Sequence, residues 1–388
     1  MQTDSGRDRQ RTLADQDDLR LHNVRAVAAF VRSRPESSRG DIGDALRLNK
    51  ATVSSLVTDL IGRGLLEEGG PRVGQGPGRP RSIVRVDNHA HASVVVEILA
   101  DRVRVGAWTL SRQRLVERDL SIRPARRGPR ATLAAVSAEI AAVVAELRHD
   151  GRRIVGAVLA LPGLLEVRTG TLVASGPLGW RNVAVQTMVR AGPAADVPIT
   201  VGRIANLATI AEWRRDPARH DLLCLHGSDT GLGAGVVSAG TLLTGSHGRA
   251  GELLFGNSPT TAFGHLDDLL RTGRTNPSTV DNLVVRLDAG RRSATSAVAA
   301  LAAGIADRLA TLVALLDPEC VVLAGYLAQL GSHLLAPVQR ELTARLAFGT
   351  RPPVEVGLGR YGTEAAQVGG AILLADTAFE LTRRADRQ

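Results

Sequence analysis

Cysteine, lysine and aromatic side chains are nearly missing from this chain. Two cysteines, Cys224 and Cys320, stand among 388 residues. That is too few for a disulfide framework or a cysteine-rich zinc site, and they read as buried thiols of a reducing compartment. Aromatic residues make up 3%, which argues against an aromatic-lined platform for single-stranded nucleic acid. Lys50 is the single lysine, so the excess of 48 basic over 39 acidic residues, a net charge of +9, is carried by arginine. It hints at a polyanionic partner. The N-terminal stretch mixes charges of both signs and lacks the apolar run of a signal peptide, so export is not expected. The apolar stretch Ala297 to Leu316 is interrupted by Asp307 and Arg308 and reads as a buried helix, not a membrane span. The expected location is the cytoplasm, with no membrane partner.

What is present is ordinary globular composition, 44% hydrophobic and 22% charged, with 41 glycines and length enough for two or three domains. Residues 1–19 are polar and without helical period, and read as a flexible start. Residues 20–88 carry three short helices and a hairpin. The first, Leu21 to Val31, places Val24, Val27, Ala28 and Val31 on one stripe. Ser38 can cap a second through Leu46, and Asn49 a third through Ile61, whose buried face takes Val53, Leu56, Val57, Leu60 and Ile61. Leu65 to Glu68 and Ser82 to Val86 form a wing around a Gly/Pro-rich loop. From 89 to 388 apolar strands alternate with Ala-rich helices, the rhythm of an α/β domain. Expected strands include Ser93 to Leu99, Val155 to Leu161, Asp221 to Leu225 and Cys320 to Ala324; expected helices include Arg130 to Arg148, Asn206 to Arg215 and Glu364 to Leu381.

The third helix presents Asn49, Lys50, Thr52, Ser54 and Ser55 at its N-terminal end. Short polar side chains suit base edges in a major groove, while helix N–H groups and Lys50 hold phosphates. Arg79, between Gly78 and Pro80, is set to enter a minor groove or lie on the backbone. The expected partner is a double-stranded DNA operator. The plainer reading of the same module is dimerisation or protein docking.

The stretch Leu46 to Glu68, followed by Gly78, Arg79 and Pro80, resembles the winged helix of ROK-family repressors. Ala160 to Gly163, Gly176 to Trp180, Asn206 to Glu212, Gly231 to Gly235, Gly248 to Glu252 and Asp317 to Gly325 stand in that family's order. The resemblance runs from about residue 20 to about 380. It implies an α/β chain in which an N-terminal winged helix-turn-helix precedes a two-lobed, sugar-kinase-like body of the actin-like ATPase superfamily. A homodimer, or a higher homo-oligomer, with a sugar cleft between the lobes is expected.

The family divides into kinases and regulators, and departures from the kinase pattern point one way. Where the resemblance places an Asn-Asp pair, with the Asp as general base, this chain has Arg203 and Ile204, and isoleucine accepts no proton. Leu99 stands where a glycine-rich loop would approach phosphate. The family's Gly-His and cysteine zinc motif is missing: Phe255 replaces the His, and His265 and Asp267 are isolated. No catalytic residue, no cofactor and no metal are therefore expected. Ligand-binding candidates are Arg203, Asn206 and Glu252. Two readings of the cleft compete: an Arg203–Glu252 pair that plugs it, or a pocket remodelled for an anion gripped by Arg203. The expected function is a DNA-binding transcriptional repressor whose inactive kinase-like domain senses a carbohydrate or derivative. The alternatives are a sugar kinase with an N-terminal extension and a ligand-independent regulator.

Overall fold

A computed structural model of the chain describes residues 4–72, 81–216, 218–228, 231–252, 277–346 and 353–380. Its first module contains α1 (Asp4–Ser33), β1 (Ser37–Ser38), α2 (Arg39–Leu46), α3 (Lys50–Gly62), β2 (Leu66–Arg72) and β3 (Arg81–Val86). Helix α1 starts well ahead of the expected Leu21. The two caps legible in the sequence are present. Ser38 and Asp41 form a reciprocal capping box, with the Asp41 amide donating to Ser38 Oγ at 3.2 Å and the Ser38 amide to Asp41 Oδ2 at 2.9 Å. Asn49 Oδ1 accepts the Thr52 amide at 2.8 Å. The turn between α2 and α3 passes through Arg47 in the left-handed region, φ 54°. Val53, Leu56, Val57 and Leu60 are buried on α3 while Ile61 is half-buried. Strand β3 lies between β1 and β2 in an antiparallel sheet. Residues 73–80, including Arg79, lie outside the described residues.

The first lobe is built from β4 (His91–Ile98), β5 (Val103–Trp108), β6 (Arg114–Leu120), α4 (Pro124–Arg127), α5 (Pro129–His149), β7 (Arg153–Leu161), β8 (Leu164–Glu166), β9 (Thr171–Ser175), β10 (Trp180–Val183), α6 (Val185–Arg190), β11 (Ile199–Arg203) and α7 (Ile204–Trp213). Its sheet has the order β11-β7-β4-β5-β6, parallel through the first three strands and antiparallel beyond. The central strands are Val/Ile/Leu runs covered on both faces, as a parallel sheet requires. On one face α5 lays down Leu133, Val136, Ile140, Val143 and Leu147. The second lobe holds β12 (Leu222–Ser228), β13 (Gly231–Ser238), β14 (Thr241–Leu243), α8 (Pro277–Asp288), α9 (Arg292–Leu316), β15 (Cys320–Gly325), α10 (Tyr326–Gln329), α11 (Ser332–Arg345), β16 (Glu355–Leu358) and α12 (Ala365–Glu380). Its sheet order is β14-β13-β12-β15-β16. By length and composition alone α9 could cross a membrane. In the fold Leu301, Ile305 and Leu309 join the second-lobe core with Leu223 and Val321, while Leu315 is exposed.

Helix α12 crosses back onto the first lobe and lies along α7. Small residues allow this: a Cβ on Gly369 would fall 1.7 Å from the Leu207 carbonyl oxygen. The other side of α12 meets the N-terminal module. Asp376 accepts Arg32 Nη2 of α1 at 2.5 Å and Arg214 Nη2, just past α7, at 2.8 Å. Arg25 pairs with Glu380 at 2.9 Å. One apolar cluster accordingly runs from Val24, Val57 and Leu60 of the module to Leu207 of α7 and Ile372 and Phe379 of α12.

Candidate functional site

Strands β7 and β11, with β12 from the other lobe, end their carboxyl edges at one cleft of about 300 Å³, where open α/β sheets characteristically take ligands. Its walls include Pro162, Gly163, Arg203, His226, Ser228 and Glu252. Arg203 ends β11 and precedes α7, which fixes its side chain beneath the start of that helix at 4% exposure. Its guanidinium donates to the Ala250 carbonyl oxygen and, at 2.5 Å, to Glu252 Oε2. Burial pulls the Arg203 pKa down, and the Glu252 carboxylate works against that. The Glu252 side chain is 37% exposed, so the pair has one fixed and one solvent-facing member.

The neighbouring Ile204 is buried in the apolar cluster with Leu207 and Ala366. Asn206 is buried on α7 with no hydrogen-bond partner for its Oδ1 among the described residues. The glycine run at 231–235 has a packing reason: a Cβ on Gly235 would fall 2.0 Å from Thr209 Oγ1 of α7. At the other glycine-loop position, the Leu99 amide donates to the Arg102 carbonyl at 3.0 Å, closing the β4–β5 hairpin. It is thereby occupied. Glu97 before it is buried and sits 3.3 Å from Arg104 Nη1, which also donates to the Thr363 carbonyl at 3.2 Å. Among the described residues no three His, Cys, Asp or Glu side chains converge as a metal site. Phe255, His265 and Asp267 lie outside those residues.

His226 is the residue that sequence reasoning passed over. It lines the cleft from β12 at 3% exposure, and its Nε2 has no hydrogen-bond partner among the described residues. Burial pushes its pKa down to about 4, so the imidazole is neutral at physiological pH. Its inward placement was legible, since in the run Leu222 to Ser228 period-two alternation puts His226 on the same face as Leu222 and Cys224, but its lack of a partner was not.

At the opposite end of the first lobe, α3 turns Lys50, Ala51, Ser55 and Thr58 outward. Thr52 is half-buried. Asn49 is committed to its cap, and Ser54 Oγ accepts Arg39 Nη1 at 2.9 Å, while Arg39 also holds Glu68 at 2.8 Å. The outward surface thus contains Lys50 and Ser55 from the sequence reading and adds Thr58 and the exposed Arg47.

The chain matches the family model described as the ROK family over residues 96–257 and 267–377. It is 26% identical over 255 residues to a glucokinase of Halalkalibacterium halodurans, covering 57% of this chain and 76% of that protein. A putative xylose repressor of Caldicellulosiruptor sp. is 22% identical over 362 residues, covering 86% of this chain and 90% of the other. A solved structure of a ROK family transcriptional regulator, homolog of the E. coli Mlc protein, superposes with a TM-score of 0.71 at 18% identity, over 93% of this chain and 97% of that one. The likeness shows the fold: a two-lobed, sugar-kinase-like α/β body behind an N-terminal module of three helices and a three-stranded sheet.

Proposed function

The chain belongs to the ROK family, and from that premise we propose that it is a cytoplasmic, DNA-binding transcriptional repressor whose kinase-like body senses a small molecule without phosphorylating it. The carrying observation is the outward face of α3, where Lys50, Ser55 and Thr58 stand free of the module's core while Asn49 caps the start of α3 and the Ser38–Asp41 box that of the preceding α2. A helix so held, with its N-terminus outward, suits insertion in a major groove. The repressor-like relative that spans most of the chain supports the reading.

One short helix contacts too few base pairs for genomic specificity, so the active form is a homodimer reading two half-sites. Selection of genomic fragments on the purified protein should recover inverted repeats with half-site centres about one helical turn, or a multiple, apart. Recovery of single, unpaired half-sites would sink the dimer, and recovery of no enriched sequence would sink the repressor.

A sugar kinase with an N-terminal extension is the second reading, drawn from the glucokinase relative. Against it stand Ile204, which has no proton-accepting atom, and the Leu99 amide already bonded to Arg102. No ATP-dependent product should form across a panel of hexoses and pentoses, and Ile204→Asp alone should not restore turnover. Turnover abolished by a substitution in the cleft would overturn this expectation.

A further inference from the structure

Resting on the reading of the cleft as a sensor, we propose that its ligand is a carboxylated sugar. The ligand's carboxylate takes the place of Glu252 at Arg203, and its hydroxyls meet His226, which helps to set specificity.

Arg203 carries a fixed charge at 4% exposure and already holds a carboxylate at 2.5 Å. The guanidinium fork matches planar carboxylate geometry, and an unpaired buried charge is strongly disfavoured, so whatever displaces Glu252 must also be anionic. Glu252, more than a third exposed, is the partner free to leave, since its charge is well solvated outside the cleft. Among the described lining residues Arg203 is the one cation. One positive charge balances a carboxylate monoanion; a phosphate near its dianionic form would leave a charge uncompensated.

The opposite wall explains the sugar part. The Nε2 of His226 is buried without a hydrogen-bond partner among the described residues. Because burial keeps the ring neutral, Nε2 is either an N–H donor or an acceptor according to tautomer, and a hydroxyl, which both donates and accepts, meets either. Ser228 lines the same wall, its hydroxyl donating to the Gly231 carbonyl oxygen at 3.3 Å. A cleft of about 300 Å³ has room for a monosaccharide acid.

The probes are D-glucuronate, D-galacturonate, D-gluconate and D-xylonate. Each is titrated calorimetrically into the full chain beside its neutral sugar and beside glucose 6-phosphate. At least one acid should bind about tenfold or more tightly than its neutral counterpart and than the phosphate. Glu252→Gln, at an exposed position, removes the internal competitor and should raise that acid's affinity about tenfold. If Glu252 instead accepts ligand hydroxyls, the same variant weakens binding. His226→Phe should lower acid affinity about tenfold with an unchanged thermal midpoint, and Arg203→Lys, which keeps the charge but not the fork, should erode the acid preference. Equal binding of neutral sugars, tighter binding of the phosphate, weakening by Glu252→Gln or no binding of any acid overturns the proposal. Duplex binding is measured on the same preparations. Intact duplex binding with no acid bound rejects this ligand class alone, whereas acid binding without any duplex binding supports it and rejects the repressor.

Discussion

Replacing Lys50 and Arg79 together by Ala should weaken binding to a selected duplex by about 10–100-fold near physiological salt and flatten the log-log salt slope by about 1.8. Each side chain is assigned one phosphate, and each lost phosphate contact removes about 0.9 from that slope. Lys50 is exposed at the first position of α3 and makes no ion pair among the described residues, so its removal leaves the Asn49 cap and the Val53–Leu60 face untouched. The two effects are separable from folding: circular dichroism and thermal midpoint should match the parent while affinity falls. Ser55→Ala acts on the same outward face without changing charge and should alter sequence preference with an unchanged salt slope. Unaltered affinity in the double variant would remove both residues from the interface.

Gly369→Ala should lower the thermal midpoint by about 5–10 °C. The added methyl would lie 1.7 Å from the Leu207 carbonyl oxygen and 2.5 Å from its carbon. These are backbone atoms of α7, so no rotamer change relieves the clash. Either α12 lifts or α7 shifts, and α7 begins at the cleft while α12 holds Asp376 against Arg32 and Arg214. Gly62→Ala is the control, because a Cβ there meets nothing within 4 Å, and its midpoint should stay within about 2 °C of the parent. A Gly369→Ala protein as stable as the parent would mean that the two helices are not closely packed in solution.

The parts of this fold written in the sequence are those decided locally. Ser38 and Asn49 bond amides three residues on, and such caps need no tertiary partner. The strands at 91–98, 153–161 and 320–325 are apolar runs whose burial follows from composition. What escaped the sequence depends on distant neighbours. Strand β6, Arg114–Leu120, mixes apolar and charged residues and is held by pairing along β5. Strands β8, β9 and β10 are three to five residues long and exist through pairing with one another. Helix α11 was masked by Pro337 inside it. At the cleft the Arg203–Glu252 partnership was legible from the family order of the two segments. The orphaned His226 was not, because a single histidine in an apolar strand carries no sign of whether the fold supplies it a partner. Ser54 is a further case that only the fold reveals: its Oγ accepts a hydrogen bond from Arg39, fifteen residues earlier, which leaves its O–H as a donor.

The contact between α1 and α12 also bears on the order in which the ribosome delivers this molecule. The N-terminal module leaves the exit tunnel ahead of the two lobes, yet the helix that covers α1 and clamps Arg32 through Asp376 is translated about 280 residues later than β3. At about 5–20 residues per second that interval is roughly 15–60 s. Throughout it, α1 waits without Phe379, Ile372 and the Asp376 carboxylate beside it. The nascent chain therefore carries its N-terminal module before it has the body that positions it, and the contact that joins the two forms only once α12 has emerged.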